Sequence, residues 1–190
     1  YEFVLQRINH EVFANPVNLC DNAQQINQYL LEQKNIGHYP LMVPQQIQSK
    51  SGTITVKIDE DYWRLIEYIN ESYTLEEVSN PQQAAQVARA FAQFSCALSE
   101  FPTNNLDVII EDFHEIAFRM RQLKEAVDNN DVSRLENCQD LVGFCIDQYA
   151  FVEQVVDISS RLPVHVTHND TKINNLLFSK SDHSPCAVID

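Results

Sequence analysis

The spacing of apolar residues changes period twice along this chain. Residues 2–8 read as a strand. Asn15-Pro16 then interrupts the chain. Residues 18–33 carry Leu19, Ala23, Ile26, Leu30 and Leu31 at helical spacing, which predicts a helix with one apolar stripe. Short strands follow at 41–48, 53–58 and 62–69. The middle one alternates with period two, and Ser51-Gly52 and Asp59-Glu60-Asp61 supply the turns beside it. Near residue 72 the period lengthens. Asn80-Pro81-Gln82-Gln83 is a helix start, with a capping side chain, proline at the first helical position and glutamine at the third. Ala84, Val87, Phe91, Phe94, Leu98 and Phe101 follow at steps of three and four, and Pro102 closes that helix. Residues 107–128 and 132–161 read as two more helices. Leu162-Pro163 returns the chain to short strands at 164–167, 176–178 and 186–189. The order is α+β: a β-rich first part, a helical second part and a strand-loop-strand finish, with no repeats.

Composition narrows the function. Hydrophobic residues make up 44% of the 190 and charged residues 21%, as in a folded soluble domain. Thirteen Lys and Arg against 27 Asp and Glu give a net charge of -14, which repels a phosphate backbone and an anionic bilayer. Nucleic acid and membrane are therefore not expected partners. No apolar run approaches the roughly 20 residues of a membrane span. Five widely spaced cysteines without a CxxC pair predict reduced thiols in a cytoplasmic protein. Three glycines leave no material for a Gly-rich phosphate loop. The chain starts within one strand-like run and stops within another, so it is expected to be the middle of a longer protein.

The chemistry concentrates in His168-Asn169-Asp170-Thr171-Lys172-Ile173-Asn174-Asn175, between strand-like runs, with Ala187-Val188-Ile189-Asp190 downstream. Phosphoryl transfer needs a carboxylate to take the proton of the attacking hydroxyl. It also needs oxygen ligands to hold Mg²⁺ against a triphosphate. The pattern H-x-D-x-x-x-x-N is that of a kinase catalytic loop, with the Asp as base and the Asn on a metal. Asp170 and Asn175 have that spacing, and Asp190 supplies a second metal ligand. Lys172, two residues after the base, is placed to neutralise charge on the transferring group.

These two segments resemble the catalytic segments of the aminoglycoside phosphotransferase and choline kinase family, which has a protein-kinase-like fold. Phe3-Val4-Leu5-Gln6-Arg7-Ile8-Asn9, Val12-Phe13, Tyr62-Trp63-Arg64-Leu65-Ile66-Glu67-Tyr68-Ile69, Asp112-Phe113-His114 and Arg119 resemble one subgroup, the kinases acting on the anomeric hydroxyl of N-acetylhexosamines. The resemblance covers nearly the whole chain. It implies a bilobal fold with a partial nucleotide-binding lobe over 1–70 and a mainly helical lobe over 71–190. The implied cofactors are ATP and Mg²⁺, and the implied partner is a small-molecule acceptor, a hexose or N-acetylhexosamine. Arg7 falls where the family places a cation against the nucleotide phosphates, with Asp21 and Glu32 as acidic candidates to pair it. Glu67, Tyr68 and Ile69 fall at the hinge that reads adenine through its backbone. His10, His114 and Arg119 are candidates for the acceptor side. Choline, ethanolamine, homoserine or an aminoglycoside are the competing acceptors. A pseudokinase-like binding module without turnover is the reading from another class.

Overall fold

In the first half of the chain β1 (Phe3–Ile8), α1 (Pro16–Asn35), β2 (Gln46–Ile47) and β3 (Thr55–Ile58) precede β4 (Asp61–Glu67), the strand on which the others align. The structure is a computed structural model and describes residues 2–129 and 132–190. β1 runs antiparallel along one edge of β4, from Phe3 opposite Glu67 to Ile8 opposite Tyr62. The other edge is shared. β2 pairs with Leu65 and Ile66, and β3 takes the stretch from Arg64 to Asp61.

Asn15-Pro16 turns out to start α1. The Asn15 side chain accepts a hydrogen bond from the Asn18 N–H at 3.3 Å and Pro16 sits in the first turn, so the helix begins two residues earlier than its apolar stripe suggests. The expected strand over 41–48 shrinks to two residues for a related reason. Carbonyls that a ladder would use are taken by α1: Lys34 Nζ donates to Leu41 O at 2.8 Å, and Asn27 Nδ2 to Pro44 O at 2.7 Å. Pro40 and Pro44 also lack N–H donors. Buried Gln46 completes the seam by donating to Cys20 O at 2.8 Å.

A second antiparallel sheet holds β5 (Ser72–Tyr73), β6 (Leu176–Ser179) and β7 (Pro185–Val188), in that order. Met42 joins it through a parallel bridge to Ala187, its N–H donating to Cys186 O at 2.7 Å. Helix α2 (Pro81–Ala97) packs on β7. Its start is as expected: Asn80 Oδ1 accepts from Gln83 N–H at 2.9 Å, while Gln83 Oε1 reaches back to Ser79 N–H at 2.7 Å. Phe91 and Phe94 of α2, Leu98, Leu176, Phe178 and Tyr39 meet in one buried cluster. Burial of this kind stabilises by roughly 1.5–3 kcal/mol per large apolar side chain. It also pushes the Tyr39 hydroxyl above its ordinary value.

By their contacts the residues fall into two units. The first ends at Ile109 and resumes at His165. It contains both sheets, α1 and α2.

The second unit, Ile110–Val164, holds α3 (Ile116–Asp128), α4 (Val132–Leu135), α5 (Gln139–Asp147) and α6 (Tyr149–Ser159). Within it α6 packs on α3 and on α5, and the Tyr149 hydroxyl donates to Met120 O. Two expectations are corrected here. Residues 107–115 are not helical. Asp112 is left-handed at φ 53°, and the Glu115 carboxylate caps α3 by accepting from Ala117 N–H at 3.2 Å. The single helix over 132–161 is three helices. Cys138 (φ -140°) and Gln148 (ψ 1°) leave helical geometry between them.

A third correction lies in the first unit and beside it. Residues 164–167 form no strand. Val164 is 78% exposed, and no neighbouring strand offers that segment a ladder. No helix among the described residues is long and apolar enough to cross a membrane. All five cysteines are free thiols.

Candidate active site

The loop before β6 is held by its own polar side chains. Thr167 Oγ1 donates to Asn169 Oδ1 at 2.7 Å, and Asn169 is left-handed at φ 61°, a conformation asparagine tolerates. A 3₁₀ turn over Ile173–Asn175 then leads into β6. Asn175, 5% exposed, points back across the turn. Its Nδ2 donates to Asp170 O at 2.9 Å and to Asp170 Oδ2 at 3.1 Å. Lys172 Nζ reaches the same Oδ2 at 2.9 Å. Both contacts fall on one carboxylate oxygen, so Oδ1 of Asp170 is engaged by no described residue and is open to a proton-bearing ligand.

These contacts set the charges. The Lys172 hydrogen bond, with help from Asn175, holds the Asp170 carboxyl below the ordinary aspartate value of 3.8. Lys172 is held above its ordinary range, first by Asp170 and then by the charges of Asp190 and Glu76. Any stability Asp170 contributes is present above its unfolded value and disappears as pH falls through the lowered one. Removing the cation raises the Asp170 value. In Lys172→Met the Asp170 carboxyl is therefore expected to titrate at higher pH, followed by its side-chain carbon shift; a curve unmoved or moved downward contradicts the pairing.

Asp190 is placed by the same loop. The His168 ring lies between Phe91 and Phe94, edge-on to both at 5.3 and 5.5 Å. Its Nε2 donates to Ile189 O at 3.0 Å, which leaves buried Nδ1 without a partner. The Ile189 N–H donates to Asn175 O at 2.9 Å. His168 is thus the joint between the α2 core and the strand end that carries Asp190, itself left-handed at φ 76°.

A cleft of about 570 Å³ opens between the two sheets. One wall is Val4 and Gln6 of β1 with Arg64 and Ile66 of β4. Glu67, Tyr68 and Ile69 line it next, and Asn174, Asn175 and Asp190 face them. Asp170 is tied to that wall through Asn175. The Ile69 N–H makes no hydrogen bond to a described residue, while Ile69 O accepts from Ser72 Oγ at 2.6 Å. Asn175 Oδ1 and the Asp190 carboxylate are hard oxygen donors on one wall, the type magnesium takes. No group of three His, Cys, Asp or Glu suited to a metal occurs among the described residues, so this pair would hold a cation together with phosphate oxygens and water.

The remaining candidates are not among the residues that line the cleft. Arg7 is not in the cleft wall. It is on the opposite face of β1, directly across from Trp63, and its guanidinium pairs with Asp61 at 3.4 Å, with neither Asp21 nor Glu32. His10 is exposed in the turn after β1, its ring 6.0 Å from Tyr62. In the second unit, Arg119 spends its guanidinium locally. Nε and one terminal nitrogen donate to Phe113 O, the other terminal nitrogen donates to Gln122 Oε1 at 2.8 Å, and His114 stacks edge-on against Phe113. The cation that does face the cleft is Arg64. Its sequence signal was a lone charge inside the apolar run Trp63-Arg64-Leu65-Ile66, two residues from Ile66 and hence on the same face of the strand.

The sequence matches the APH phosphotransferase enzyme family over residues 3–190. In three dimensions it is similar to the crystal structure of an aminoglycoside phosphotransferase from Alicyclobacillus acidocaldarius subsp. acidocaldarius, with a TM-score of 0.57 at 18% sequence identity. The superposition covers 99% of this chain and 55% of that one, so the chain spans little more than half the length of its structural neighbour. The likeness is one of fold, a mixed α and β phosphotransferase fold of the kinase-like type. With its match running over nearly every residue, the chain belongs to the APH phosphotransferase enzyme family.

Proposed function

We propose that the protein of which this chain is part transfers the γ-phosphoryl group of ATP to a hydroxyl of a small molecule, a hexose or N-acetylhexosamine. The observation that carries this is the meeting of Asp170, Asn175 and Asp190 beside one cleft whose other side is the Glu67–Ile69 backbone. Adenine fits against that backbone, where the unused Ile69 N–H is a donor for a ring nitrogen. The acceptor hydroxyl approaches Asp170 Oδ1, which takes its proton as the oxygen bonds to the γ-phosphorus and the bond to the ADP oxygen breaks. Lys172 steadies the negative charge beside the base. Asn175 and Asp190 would hold Mg²⁺, which when bound neutralises charge on the triphosphate. The reading brings with it a nucleotide-binding part over 1–70 and a helical part over 71–190.

A net charge of -14 favours a second acceptor class, cationic alcohols such as an aminoglycoside or choline. ADP release by the full-length protein, measured over a panel of hexoses, N-acetylhexosamines, amino alcohols and aminoglycosides, separates the two. Turnover only with the neutral sugars is the expected result. Turnover only with cations shifts the acceptor. No turnover with any of them, while ATP binds, favours a binding module.

A further inference from the structure

We propose that Arg64, steadied by Gln6, is the cation that receives the nucleotide's phosphate groups; this rests on the nucleotide reading above. Gln6 and Arg64 are direct cross-strand partners, as are Val4 and Ile66, and all four line the cleft. Directly paired residues share a face of the sheet, so the pair of Arg7 and Trp63, one step along, belongs to the other face. Arg7 is not among the residues that line the cleft and its guanidinium is paired with Asp61, while position 6 presents an uncharged amide to the cleft.

That amide does something specific. Arg64 Nε donates to Gln6 Oε1 at 2.8 Å. Gln6 is neutral, so it orients the guanidinium without cancelling its charge. Among the described residues, no carboxylate lies within 4.0 Å of Arg64, and its two terminal nitrogens make no hydrogen bond. Arg64 is also the one cationic side chain among the described residues that line the cleft. A half-buried guanidinium with Nε tied down and both terminal N–H edges unused is prepared for a planar, two-pronged anion. Three strand steps lead from it to Glu67, about 10 Å at strand rise, which is the reach from a base held at the hinge to its phosphates. Asn175 and Asp190 face it with oxygen donors that suit a cation. The cleft thus offers a positive group on one wall and cation-binding oxygens on the other.

The test compares ATP with adenosine, which shares the base and sugar but has no phosphate, in binding measurements on the full chain. Arg64→Ala is expected to weaken ATP by about 10- to 100-fold while adenosine stays within about twofold of the parent. Arg64→Lys recovers only part of the loss, because a point charge lacks the fork. Gln6→Leu weakens ATP several-fold and leaves adenosine alone, since the charge remains but loses its aim. Lys57→Ala, a cation of the same sheet paired to Glu60, changes neither. ATP affinity of the parent falls with added salt, and Arg64→Gln flattens that dependence. The proposal is overturned if Arg64→Ala binds ATP like the parent, if ATP and adenosine weaken equally, or if Arg7→Ala takes the loss instead. A parent chain that binds neither ATP nor adenosine overturns the nucleotide reading itself and this assignment with it, an outcome distinct from the other three.

Discussion

Asp170→Asn is expected to lower the turnover of the full-length protein by about 10²–10⁴-fold while ATP affinity stays close to the parent's. The substitution keeps the shape of the side chain and an oxygen for Asn175 and Lys172 to donate to. What it removes is the group that takes a proton. Asp170 reaches the cleft wall only through Asn175, so the nucleotide loses none of the contacts lining its cleft. The parent's carboxyl is held ionised below the ordinary aspartate value, so no loss of the base form is expected as pH rises through neutrality. The measurement is ADP release beside ATP binding. Parental turnover in the variant removes the proton-taking role. Equal loss of ATP binding and turnover makes Asp170 a nucleotide ligand instead.

How much of this was legible in the sequence follows from how local each feature is. The grouping of residues 168–175 was legible because it is written in one run: His168, Asp170 and Asn175 interact with one another or with Ile189, next to Asp190. The start of α2 was legible for the same reason, since Asn80 and Gln83 cap their own helix. Strand β5 was not, because Ser72 and Tyr73 become a strand only by pairing with Ser179 and Phe178, a hundred residues away. The loss of strand over 41–48 was hidden too, being caused by side chains of α1 that reach across to its carbonyls.

The contrast between Arg7 and Arg64 shows most plainly what the sequence does not carry: Arg64 lines the cleft and Arg7 does not. The family resemblance implied a phosphate-facing cation at Arg7 on β1, yet a strand turns alternate residues to opposite faces, and the cleft lining holds Gln6 and not Arg7. Only the register with β4 shows which is which. Spacing along the chain locates chemistry to within a residue or two, and a β-strand needs it to none.

Phe178→Ala is expected to destabilise the first unit by about 3–5 kcal/mol, the range for deleting a buried phenylalanine side chain. Phe178 is fully buried on β6, with Tyr73 of β5 tilted against it at 5.9 Å and Leu176 and Leu98 in the same cluster. Polar and charged groups around the loop cannot close the space, because Asn175 and His168 are already committed to hydrogen bonds. Phe178→Leu fills most of the volume and is expected to cost about 1 kcal/mol or slightly more. Urea unfolding followed by the fluorescence of Trp63, the single tryptophan of this sequence, reports on this unit, because Trp63 lies in β4. Asn175 stands immediately before β6 and Asp190 two residues after β7, so the hairpin that Phe178 anchors is also what spaces these two oxygen donors. Activity of the alanine variant should therefore fall with its folded fraction while the KM for ATP of the remaining folded molecules stays near the parent's. A loss below about 1 kcal/mol for Phe178→Ala, or a KM that rises with no change in the urea midpoint, is incompatible with β6 as the buried strand that carries the site.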